Sequence, residues 1–178
     1  YFPKHDRMGM PGLTTLLNMI TKAWQDNRDS IMESSQQITD ILAYQDEVSE
    51  EAMDYDVIHE AYSDFKEDFD NEYGGFGRSP KFPTPHNLLF LLRYWHAEKV
   101  GNALHMVEKT LDSMYRGGIY DHIGFGFCRY STDRKWIVPH FEKMLYDNAL
   151  LSMAYLEAYH ATGKEKYANI ARQIFEYV

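Results

Sequence analysis

Among the acid–base side chains of Gly117–Asn148, four are candidates for catalysis: Asp121, His140, Glu142 and Asp147. Carboxyls and imidazoles at a cavity do general acid–base chemistry. Glycoside cleavage in particular needs two carboxyls about 5–10 Å apart, whereas an epimerase wants histidines flanking a sugar carbon. Groups able to bind a polar, ring-shaped ligand stand beside them: His122, Trp136, Lys143 and Tyr146. Phe76 and Lys81 come from an earlier glycine motif, Gly74-Gly75-Phe76-Gly77. The same residues admit plainer readings. Lys143 can pair with Asp147 along a helix, Glu142 can favour a helix N-terminus, and Asp121 can close a turn. Asp133, Arg134 and Trp136 read either as a turn with a packed indole or as sugar-binding groups. Gly74–Gly77 is no phosphate loop, because it lacks the Gly-Lys-Ser/Thr ending.

Helices must position these groups. Leu13, Leu16, Leu17, Ile20 and Trp24 repeat at 3.6 residues, as do Ile31, Ile38, Ile41 and Leu42, then Ile58, Tyr62, Phe65 and Phe69. Thr84 ahead of Pro85 predicts a cap and a first-turn proline, followed by Leu88, Leu89, Leu91, Leu92 and Trp95. Leu104, Val107, Leu111 and Met114 form the next stripe. Pro139 predicts the start of a helix that ends near Thr162-Gly163. On that helix His140, Lys143 and Asp147 would share one face. Tyr167, Ala171, Ile174 and Val178 form the last stripe. About seven helices are expected, paired as αα-hairpins, with Phe125–Tyr130 as a short hairpin arm. The glycine pairs ending at Gly75 and Gly118 lie 43 residues apart, about one helical hairpin, as repeated units require.

The chain has 178 residues, 44% of them hydrophobic, which suffices for a core, and a net charge of −9. Twelve acids against one base between Asp46 and Glu72 carry the excess; they read as a solvated helix face and linker. An acidic balance disfavours nucleic acid as a partner. No apolar run reaches membrane-spanning length, so a soluble, cytoplasmic protein is expected. The histidines lack metal-ligand spacing, and neither a metal nor a cofactor is expected. Cys128, the sole cysteine, reads as an inert buried thiol.

Tyr1-Phe2-Pro3, Arg7, Gly9 and Pro11-Gly12 resemble the end of a thioredoxin-like domain. Asp70–Pro83 and Gly117–Asn148, the latter with Trp-Ile-Val-Pro-His-Phe-Glu-Lys-Met-Leu-Tyr-Asp-Asn, resemble a family of long proteins. These join an N-terminal thioredoxin-like domain to a C-terminal (α/α)6 barrel of six-hairpin glycosidase type; the animal member is called a spermatogenesis-associated protein. The resemblance implies an internal fragment of such a protein. Residues 1–28 would end the thioredoxin-like domain, 29–54 would be a helical linker, and 55–178 would be the first hairpins of the barrel. The implied fold is all-α. The superfamily's glycoside hydrolases and sugar epimerases make a carbohydrate-active domain the leading expectation. His140, Glu142, Asp121 and Asp147 would be its catalytic groups, acting on a sugar-like small molecule. The alternative is a non-catalytic binding or scaffold module. The resemblance carries no redox role here, because the cysteine pair of the thioredoxin-like part is absent. Apolar helix faces left open by a partial barrel predict self-association.

Overall fold

A computed structural model describes residues 2–45 and 55–178. Two compact units divide the chain, one ending at Ala52 and one beginning at Met53. In the first, α1 (Leu13–Asp26) and α2 (Arg28–Gln45) pack together. The Leu13 amide donates to Pro3 O (2.7 Å), tying the incoming segment to the start of α1. The expected linker 29–54 is helical as far as Gln45; residues 46–54, with the first part of the acidic run, lie outside the described residues.

The second unit carries α3 (Asp56–Asp68), α4 (Pro85–Glu98), α5 (Gly101–Arg116), α6 (Leu145–Thr162) and α7 (Glu165–Tyr177). Seven helices are thus described across the two units. Helices α4–α5 and α6–α7 form two αα-hairpins. Gly163, at φ +69°, turns the second one and donates its amide to Tyr159 O (2.7 Å), the expected left-handed helix end. Helices α4 and α6 are apolar around most of their circumference and pack on each other as the inner pair, with α5 and α7 amphipathic and outside. Arg93 and Glu157 pair at 3.1 Å in the C-terminal halves of α4 and α6, and His86 and Asp147 in their first turns act on each other, so the two helices run parallel with their N-termini at the same end. Leu88, Leu91, Met106, Leu111, Met114, Leu151, Tyr155 and Ile174 are buried between these helices.

The helix expected from Pro139 begins instead at Leu145. Pro139–His140 form β2, antiparallel to β1 (Tyr130–Ser131). The Thr132 amide donates to Val138 O (2.8 Å) and the Arg129 amide to Glu142 O (2.6 Å). Those carbonyls serve a ladder and cannot serve a helix. The Asp133 carboxylate closes the intervening turn by accepting from the amides of Lys135, Ile137 and Val138. His140, Lys143 and Asp147 therefore do not share one helical face. The strand also begins later than the expected arm at Phe125.

Candidate functional site

Three knots of polar side chains are built around the loops. The first joins the two glycine motifs. Lys81 is completely buried; its ammonium donates to Asp70 Oδ2 (2.7 Å), Gly74 O (2.8 Å) and Arg134 O (3.0 Å). Arg134 clamps the same carboxylate through Nε (2.7 Å) and Nη2 (2.8 Å). Burial opposes ionisation of Asp70. Hydrogen bonds from Arg134, from Lys81 and from the amides of Tyr73 and Glu72 outweigh it, holding the carboxyl well below the usual range. Trp136 is likewise fully enclosed and donates Nε1–H to Tyr73 O (3.0 Å). Gly75 sits at φ +80° against the Trp136 indole, where any Cβ would collide. The backbone of Lys81 also bridges Ser131, which brings Phe82 onto the Tyr130 ring at 4.9 Å.

The second knot centres on Lys143, which donates to Asp121 Oδ2 (2.7 Å) and Phe125 O (2.6 Å) and lies 4.5 Å from the Tyr177 ring centroid. Asp121 Oδ1 accepts from the amides of Ile123 and Gly124. The Lys143 bond first, then those amides, hold its carboxyl well below the usual range. Cys128 lies close by, buried, and burial pushes its thiol up.

The third knot occupies the shared N-terminal end of α4 and α6. Asp147, in the first turn of α6, is 8% exposed. Burial pushes its carboxyl up, and the positive charge of Arg129 and the proximity of His86 on α4 only moderate that. No side chain or amide among the described residues donates a hydrogen bond to this carboxyl. Arg129 spans the site: Nη1 donates to Glu142 Oε2 (3.0 Å), Tyr146 is a further hydrogen-bond neighbour, and Nε is buried with no partner. His140 Nδ1 is 3.5 Å from Glu142 Oε2, and its ring stacks on Tyr130 at 5.0 Å. Thr84 precedes α4 at φ +41°, a costly conformation for a β-branched residue. Its hydroxyl makes none of the expected cap bonds and is buried without a partner.

The whole chain aligns with spermatogenesis-associated protein 20 of human and of mouse, each 42% identical over 187 aligned residues. An uncharacterised Caenorhabditis elegans protein matches 98% of the chain at 39% identity. The chain spans about a quarter of these relatives (24% of each). No protein-family model matches it. Among solved structures, cellobiose 2-epimerase from Bacillus thermoamylovorans B4167 superposes with a TM-score of 0.56 at 18% identity, over 67% of this chain and 36% of that one. A sugar epimerase from a ruminal bacterium gives 0.58 at 17%, over 68% and 36%. The fold is of the six-hairpin glycosidase type. At these identities the likeness speaks for the fold alone.

The structure gathers three of the four expected acid–base residues, His140, Glu142 and Asp147, into the third knot, and Tyr146 with them. Asp121 and Lys143 pair with each other in the second knot. His122 leaves both, its ring against Tyr115 (5.2 Å) and Tyr120 (5.0 Å). Trp136, Lys81 and Phe76, expected at the ligand, are interior. The indole and ammonium are fully satisfied, and Phe76 packs on Phe65 and Phe69. Arg129, His86 and Thr84 went unforeseen. Only the Thr84-Pro85 pair left a trace in the sequence, as a helix start. No helix among the described residues is long and apolar enough to cross a membrane.

Proposed function

We propose that the end of the inner helices around Asp147 is a carbohydrate-transforming site, with Asp147 as its general acid or base. The observation that carries this reading is Asp147, a residue only 8% exposed whose carboxyl takes no hydrogen bond among the described residues and feels the positive charge of Arg129. Burial keeps its proton affinity nearer to working pH, as acid–base catalysis needs. Arg129 supplies a donor for a ligand oxygen, with Glu142 and His140 beside it. Phe82 and Tyr146 offer exposed rings for a sugar. The names of the solved neighbours, sugar epimerases, favour the same class of ligand.

Along the chain, this reading takes residues 1–28 as the end of a thioredoxin-like domain, 29–54 as a linker and 55–178 as the first hairpins of the barrel, in a cytoplasmic protein without a nucleic-acid partner. A second reading is a sugar-binding module without turnover. It draws on the internal pairing of Arg129 with Glu142 and of Glu142 with His140, which occupies these groups with one another.

The full-length protein incubated with mono- and disaccharides in D2O separates the two readings by proton NMR. Deuterium incorporation at a sugar C–H, or cleavage, supports the enzyme. Saturable binding with neither supports the module. No binding by any sugar removes both.

A further inference from the structure

Asn148 is the residue that joins the catalytic helix to the loop carrying Arg129. It is fully buried in the first turn of α6, next to Asp147. Its Oδ1 accepts from the Phe127 amide at 2.7 Å. Its Nδ2 donates to Phe127 O at 3.0 Å and to Met144 O at 3.0 Å. One side-chain amide thus replaces a strand partner for Phe127 and uses both of its donors. The Phe127 ring is fixed on the same helix, stacked 5.6 Å from Tyr155. Two residues on, Arg129 is held at the backbone by Glu142 O and reaches Glu142 and Tyr146 with its guanidinium.

We infer that Asn148 is a positioning residue, whose amide clamps Phe127 to α6 and so sets Arg129 against Asp147. The inference rests on the reading of Asp147 as the acid–base group, but its test needs no substrate. Asn148 touches no ligand, since none of its side chain is exposed. Its neighbour on the helix would carry the proton, and the residue it fastens leads, two positions on, to the guanidinium of Arg129. Two groups act on Asp147 from other elements: Arg129, from the segment ahead of β1, and His86, from the first turn of α4. Loosening the clamp removes the influence of Arg129 and leaves that of His86.

The test is the titration of the Asp147 carboxyl, followed by carbon-13 NMR, in wild type, Asn148→Ala and Asn148→Leu. Asn148→Leu keeps about the same volume and removes all three side-chain hydrogen bonds without adding a charge. The expected result in both variants is a rise of about threefold or more in the proton affinity of Asp147, as a nearby positive charge is lost. In an Arg129→Gln background the same substitutions should add nothing. Leu111→Ala, a core variant on α5, serves as the control and leaves the titration unchanged while lowering Tm. Folded Asn148 variants with an unshifted Asp147 overturn the inference and reduce Asn148 to a packing residue. Should neither variant fold, hydrogen exchange of the wild-type Phe127 amide decides. Protection equal to that of the α6 core supports the clamp, and exchange at an exposed-loop rate refutes it. Absence of sugar turnover would sink the catalytic reading and leave this result standing.

Discussion

Replacing Asp70 by Asn tests how the two glycine motifs are held together. The substitution keeps shape and removes one charge. Lys81 then retains only the carbonyls of Gly74 and Arg134 for an ammonium with no exposed side-chain surface. Arg134 keeps a single neutral acceptor in place of the two carboxylate oxygens it now binds. Removing one partner of a buried ion pair strands the other and costs about 3–5 kcal/mol. For a chain of this size, that lowers Tm on the order of 10 °C. Lys81→Met should cost clearly less, because the Asp70 carboxylate keeps Arg134 and the amides of Glu72 and Tyr73. The pH dependence has a defined sign. The carboxyl is held below its ordinary value of 3.8 in the folded state. Its contribution is therefore present above that value and fades as pH falls below it. Thermal unfolding of the three proteins between pH 3 and 7 is the assay. A cost under about 1 kcal/mol for Asp70→Asn, or a larger one for Lys81→Met, would refute the reasoning.

Gly75→Ala should destabilise by at least about 2 kcal/mol, read by denaturant unfolding, since a Cβ at φ +80° would run into Trp136. Asp147→Asn should raise Tm at pH 7, because burial disfavours the ionised carboxyl in the folded state. The gain should shrink as pH falls towards the ordinary carboxyl value of 3.8, because wild-type Asp147, raised by burial, takes up its proton before that value is reached. Exposed Leu145, Met153 and Leu156 on α6, with Phe175 on α7, predict self-association of the 178-residue chain. A concentration-independent monomer in light scattering would contradict that.

The helices were legible because periodicity is local. The stripes from Leu104 to Met114 and from Tyr167 to Ile174 are the buried faces of α5 and α7. Pro139 misled because a proline opens an edge strand as readily as a helix. The choice was made by Glu142 O and Val138 O bonding back to Arg129 and Thr132, which no window around Pro139 contains. The same holds for the site. Asp147, Glu142 and His140 are close in sequence and were found together. His86 joins them only because α4 and α6 run parallel, bringing two helix starts to one end, and Arg129 because its amide bonds back to Glu142 O. Lys81 looked like a ligand group, since nothing in its surroundings announces that Asp70 and Arg134 enclose it. Asn148 shows no periodic signal either; its role depends on where Phe127 falls.

Turnover by full-length Asp147→Asn, on any sugar the wild type converts, tests the central claim most directly. With folding verified by Tm, kcat should fall by about 10²–10⁴-fold, the usual worth of a general acid or base. A kcat within about threefold of wild type would contradict the assignment of Asp147 as the group that moves the proton.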